Sequence, residues 1–286
     1  MIEIIFAILS SFTFAYNVIG IRRGLQRMDY ITCSLIVSAI TTLSYTPLLP
    51  FTHISKVNAT SALLFALSGV LAPGLARLFF FQSIQKVGAL ITSSVMPSQP
   101  IITAIFAVII LSEKPSPKIW IGIIAIIIGA IIIEASMSKN RTQKVKTPWI
   151  ILPLLGVIFG SLGDPIRKIA LNISNEPILG TIIANFASLI LYYAIYFLKI
   201  KKDRPIKSED FKLMFSTGII MALAWIFTFY ALSYGEVTKV TPIINTQPLF
   251  IYFLAHFFPK EIGKVNLRPL IGAIIILTGL ILFLFI

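Results

Sequence analysis

Apolar runs of about twenty residues alternate with short polar breaks along the whole chain. A bilayer core takes roughly 20 apolar residues per helix. Ten runs of about that length can be marked: Ile2–Ile21, Ile31–Phe51, Thr60–Gln85, Ala89–Leu111, Lys118–Ser138, Pro148–Ile169, Ile178–Leu198, Phe211–Tyr234, Val237–Phe258 and Leu267–Ile286. The longest breaks, Lys139–Thr147 and Lys199–Asp210, are too short to hold a soluble domain. Inside lipid every backbone amide and carbonyl must be paired within its own segment, so the runs predict helices and not strands. The first run has no basic stretch before it and carries Glu3 where a signal peptide would be positive, so a retained helix is expected there.

The halves of the chain repeat. Gln99-Pro100 stands before Glu113 at the same interval as Gln247-Pro248 before Glu261, an offset of 148 residues. Gln82-Ser83-Ile84 falls opposite Tyr230-Ala231-Leu232 at that offset, and Gly122 and Gly129 match Gly272 and Gly279 at an offset of 150. The boundaries that follow are residues 1–138 for the first repeat, 139–147 for a linker and 148–286 for the second. Each unit holds five runs. Five is odd, so the second unit enters the membrane from the opposite side, an arrangement found in many secondary transporters with a substrate site between the repeats. The expected fold is an all-α membrane protein of ten transmembrane helices, as two inverted five-helix repeats around a central cavity.

Composition agrees with this. The chain is 57% hydrophobic and 12% charged, half the roughly 25% of a soluble domain, and its mean hydropathy is +0.93. A soluble enzyme, a disordered chain and a secreted disulfide scaffold are excluded. Cys33 has no partner for an internal disulfide, and two histidines in separate segments make no zinc site. There is no G-x-x-x-x-G-K-[ST], H-E-x-x-H or G-x-S-x-G motif, so neither direct ATP drive nor an enzyme activity is expected, and no metal or cofactor. The net charge of +13 sits mostly in the breaks, where it meets lipid headgroups and not nucleic acid. Seventeen Lys and Arg fall in the odd-numbered loops and six in the even-numbered ones. The positive-inside rule then places the odd loops in the cytoplasm and both termini outside.

With the repeat, the ten runs and a proline thirteen residues before a loop glutamate in both halves, the chain resembles the EamA-type branch of the drug/metabolite transporter superfamily. The matching stretches are Phe79–Gly122 and Phe227–Gly272. The resemblance implies a cavity lined by helices 1, 3, 4, 6, 8 and 9, peripheral helices 5 and 10, and substrates among amino acids, purines, sugars and other metabolites. It also implies both termini inside, against the charge count.

Candidate site residues follow from polar groups inside apolar runs. Arg77 lies about eight residues, ~12 Å, from its helix end, a depth at which a charge is costly and usually functional or paired. Asp164 precedes Pro165, with Arg167 one turn on; it is either paired to Arg167 or a cation contact and protonatable coupling group. Pro97, Pro100, Pro242 and Pro248 kink helices 4 and 9 and are candidate gating points. Tyr16, Asn17, Gln82, Met96, Gln99, Trp225, Tyr230, Asn245 and Gln247 complete the expected substrate-binding set, with Trp225 at the repeat position of Arg77, a placement that suits either a cation–π contact between the two or an aromatic wall around a ligand. Glu113 and Glu261 at helix turns are expected to cap the next helix or to pair with Lys114 and Lys260.

The expectation is a multi-pass cell-membrane secondary transporter of small organic metabolites, an amino-acid or metabolite exporter working by alternating access. Its partners are a small-molecule substrate and the lipid bilayer. Proton coupling, and monomer against homodimer, stay open. The alternatives are an uncoupled facilitator or channel, or a polytopic membrane scaffold or enzyme subunit.

Overall fold

A computed structural model describes residues 1–137, 147–198, 208–257 and 268–284. Among them the chain is helical throughout, with no strand. The α-helices are α1 (Ile2–Arg27), α2 (Tyr30–Leu43), α3 (Ala59–Gly69), α4 (Ala76–Lys86), α5 (Ala89–Val95), α6 (Gln99–Leu111), α7 (Pro117–Met137), α8 (Ile151–Ile173), α9 (Pro177–Phe197), α10 (Ser208–Tyr234), α11 (Val237–Ile244), α12 (Gln247–Phe257) and α13 (Arg268–Leu284). Helix is present in every predicted apolar run. Among the described residues, six helical stretches are long and apolar enough to cross a membrane: Ile2–Arg27, Ala59–Lys86, Ile91–Leu111, Pro117–Ser136, Pro177–Phe197 and Phe211–Tyr234. Tyr30–Leu43 and Arg268–Phe283 are apolar but shorter. Together with the composition, these helices make the chain a multi-pass integral membrane protein. Glu261 and Lys260 lie outside the described residues.

Local sequence explains where helices start, stop and bend. Asp29 caps α2, its carboxylate accepting from the amides of Ile31 (2.9 Å) and Thr32 (3.4 Å). The predicted run Ile31–Phe51 is α-helical only to Leu43. Pro47 and Pro50 then hold Thr46–Phe51 in a 3-10 helix. The third run bends at Ala72, whose extended backbone (φ −144°, ψ 113°) is what a following proline favours, and a π-helical stretch, Val70–Leu75, joins α3 to α4. The fourth run breaks at a 3-10 turn, Met96–Ser98, and the ninth at Asn245-Thr246. Kinks in helices 4 and 9 were anticipated from their prolines; the bend before Pro73 was not.

Outward faces carry lipid-type side chains. On α7, Ile121, Ile124, Ile128 and Ile131 are exposed while Ile119, Ile123, Ile126 and Ile133 are buried, the two sides of one 3.6-residue period. That buried side packs on α13, where Gly129 and Gly272 meet so closely that a Cβ on either would lie 2.5 Å from the other's carbonyl oxygen. Ala107, Ile126, Ile133, Leu171, Phe229, Val240, Ile243 and Ile276 belong to the largest buried apolar cluster. The other strong pairings are α1 with α10, α8 with α3 and α4, and α2 with both α9 and α10. Small residues allow the α3–α9 approach: a Cβ on Gly69 would fall 2.0 Å from the Ala184 carbonyl oxygen.

Candidate functional site

The interrupted helices surround a cavity of about 270 Å³. It is lined from α1 (Phe14, Arg22), from the bend and α4 (Pro73, Arg77), from the fourth run (Met96, Pro97, Gln99) and from α8 (Gly160, Asp164). Trp225 and Thr228 of α10 and Asn245, Gln247 and Pro248 of the ninth run close it. These are the elements of runs 1, 3, 4, 6, 8 and 9. Run 5 contributes as well: Ala130 and Glu134 of α7 line the same space.

Of the residues singled out in the sequence, Arg77, Met96, Gln99, Asp164, Trp225, Asn245, Gln247, Pro97 and Pro248 reach the cavity wall. The others do not. Tyr16 faces outward, 37% exposed. Asn17 is buried in α1, its Nδ2 donating to the Thr13 carbonyl at 3.2 Å. Gln82 donates to the Tyr30 hydroxyl (3.1 Å), and Tyr230 stacks on Phe6 with ring centroids 5.1 Å apart. Pro100 opens α6 and Pro242 sits inside α11, both buried behind the wall.

Two buried arginines, Arg167 and Arg77, differ in what they bind. Arg167 is fully buried. Its Nη1 donates to Asp164 Oδ1, its Nη2 to the Ala72 carbonyl at 2.7 Å, and the Thr241 hydroxyl donates to Asp164 Oδ2 at 3.0 Å. The guanidinium lies over the rings of Trp225 (5.0 Å) and Phe229 (4.7 Å). Of the two arrangements open for Arg77 and Trp225, the cation–π contact goes instead to Arg167. The reason is the bend at Ala72: it leaves a backbone carbonyl to be satisfied inside the bundle, and Arg167 reaches it from α8. The Tyr192 hydroxyl serves the same bend, lying 2.7 Å from the Pro73 and 2.9 Å from the Gly74 carbonyl oxygen.

Arg77 is the opposite case. It is buried, lines the cavity, and its Nη1 and Nη2 make no hydrogen bond among the described residues. The Trp225 indole N–H is likewise unpartnered there. Buried donors without acceptors are costly unless something else supplies them. The Arg77-to-Lys distinction matters for an anionic group, because only a guanidinium presents a planar two-donor fork.

Sequence inspection passed over Arg22, Glu134, Pro73 and Tyr192. Arg22 was counted as a loop charge, and Glu134 lay near the end of an otherwise apolar run. The available signals were a lone acid among isoleucines in α7 and a Pro-Gly inside the third run. Away from the cavity, Glu113 caps α11: its carboxylate accepts from the amides of Val237 (2.8 Å) and Thr238 (2.9 Å). The helix so capped is not the one that follows Glu113 in the chain. Among the described residues no cluster of metal-ligating side chains occurs.

Comparison with known proteins places this geometry. A solved crystal structure superposes with a TM-score of 0.78 over 98% of this chain and 94% of that one, at 11% sequence identity, so the likeness is one of fold. An uncharacterized transporter of Archaeoglobus fulgidus is 21% identical over 288 residues, 99% of this chain and 98% of its own length. An uncharacterized protein of Methanocaldococcus jannaschii is 27% identical over 133 residues, 46% of this chain but 93% of that protein. The family model of EamA-like transporters matches residues 1–135 and again residues 147–285. The helical membrane architecture, the cavity between interrupted helices and this double match together show that the chain belongs to the EamA-like transporter family.

Proposed function

We propose that the protein is a secondary transporter of zwitterionic metabolites, amino acids first among them, working by alternating access of two inverted five-helix repeats. The repeat reading draws support from packing. Gly122 lies against Phe283 and Gly279, and Gly272 lies against Ile133 and Gly129, contacts that exchange under the 150-residue offset. The pairing of α1 with α10 has its counterpart in α8 with α3 and α4, and that of α2 with α10 in α9 with α3. Two separate family matches and a relative about half as long point the same way. Halves of similar structure can exchange conformations, which gives two states of similar energy open to opposite sides.

With ten crossings, Arg22 and Glu134 stand near the ends of α1 and α7 that face the odd-numbered loops. Glu113 on α11 ties down the other side. The state described is therefore open, in this reading, toward the side the charge count assigns to the cytoplasm, as an exporter requires for loading. Removing Arg22 and Arg167 from the loop count, as the structure demands, leaves that bias in place.

The observation that carries the substrate class is Arg77, a buried guanidinium with two free nitrogens in a cavity that lies just under the roughly 300–1,000 Å³ of drug-sized sites. Its fork suits a carboxylate, and burial strengthens the contact relative to water. Asp164, one of whose two expected roles is a cation contact, has both oxygens occupied by Arg167 and Thr241. A thermal-shift screen of the purified protein against amino acids, nucleobases and sugars tests the class. Stabilisation by amino acids that disappears in Arg77→Ala is expected. Stabilisation by sugars or nucleobases alone would reject it.

A further inference from the structure

We propose that Glu134 is a second, anionic subsite of this cavity, taking the ammonium group of the substrate while Arg77 holds its carboxylate. The proposal rests on the zwitterion reading and extends it to a residue outside the helices expected to line the site.

Glu134 lies on α7, between buried Ile133 and the exposed face that carries Ile131. A carboxylate in an apolar membrane helix is costly and calls for a partner or a function. Its Oε2 is buried and makes no hydrogen bond among the described residues, and the side chain faces the cavity. Arg22 lines the same cavity from α1. No ion pair joins the two among the described residues. An acid and a base that border one void without closing on each other leave room for a third charged group between them. At the 150-residue offset that matches α7 to α13, the corresponding position is Leu284, so the acid belongs to one repeat and not to both. The unpartnered polar atoms of the wall are then complementary to one molecule, with donors on Arg77 and Trp225 and an acceptor on Glu134.

The test uses the full chain in lipid nanodiscs and three pairs of probes: leucine with α-ketoisocaproate, phenylalanine with phenylpyruvate, and glutamate with α-ketoglutarate. Within each pair the side chain and carboxylate are the same, and a keto oxygen replaces the ammonium group and the α-hydrogen. The wild type is expected to bind at least one amino acid about tenfold or more tightly than its keto acid, the size of a hydrogen bond to a charged group. Glu134→Gln should abolish that ratio by weakening the amino acid and leaving the keto acid unchanged. Glu134→Asp should keep part of it. A ratio preserved in Glu134→Gln, or both probes weakened alike, overturns the subsite. Equal binding of both members by the wild type overturns it too, while leaving the Arg77 site intact if Arg77→Ala abolishes binding. No binding of any probe by the wild type rejects the zwitterion reading and the subsite with it.

Discussion

Replacing Arg167 by methionine should unfold the protein far more readily than its distance from the charged rim suggests. The substitution leaves Asp164 buried with the Thr241 hydroxyl as its remaining partner and the Ala72 carbonyl without its donor. Breaking a buried ion pair by removing one member costs about 3–5 kcal/mol, because the other charge stays behind. The lost bond to Ala72 adds roughly 1 kcal/mol. Replacing both members, as Asp164→Leu with Arg167→Met, removes the uncompensated charge, so the double variant should be clearly more stable than Arg167→Met alone. The expected coupling in a double-mutant cycle is about 2 kcal/mol or more. Equilibrium unfolding in mixed detergent and SDS micelles, followed by tryptophan fluorescence, measures it. Single-variant effects that add within about 0.5 kcal/mol would refute the reasoning, because independent sites add in that way.

Arg77→Ala should abolish transport with expression and folding retained, and Arg77→Lys should restore it only in part, as measured by flux and size-exclusion profile. Glu113→Gln should weaken the cap on α11 by about 0.5–2 kcal/mol and raise thiol labelling of a cysteine placed at Val237. Gly129→Ala and Gly272→Ala should destabilise by similar amounts, roughly 1–3 kcal/mol each, because each Cβ meets the other helix's backbone at the same 2.5 Å. Unequal costs would argue against the symmetry of the α7–α13 pair.

The helices were readable because lipid simplifies the code: an unbroken apolar stretch has few structural options. Much of the cavity wall was readable as well, since Arg77, Asp164 and Gln99 are polar groups that an apolar run would otherwise exclude. Pairing was less accessible. One turn of sequence suggested Asp164 with Arg167, but nothing in it said that the pair would be buried against Ala72 while the Nη atoms of Arg77 make no hydrogen bond among the described residues. That depends on a backbone bend at Pro73, which is a tertiary matter. Tyr16 and Tyr230 lie off this cavity wall for a related reason. A polar tip on a helix of low amphipathicity does not disclose which face turns inward. Glu134 shows the converse, a charge near a helix end that looks interfacial until the packing against α13 fixes the helix's rotation.

Counterflow in proteoliposomes puts the central claim to the most direct test. Vesicles loaded with unlabelled amino acids should accumulate at least one labelled amino acid transiently, and vesicles carrying Arg77→Ala should not. Accumulation of a neutral or purely anionic solute, with none of the twenty amino acids exchanged, would contradict a zwitterion transporter anchored on Arg77.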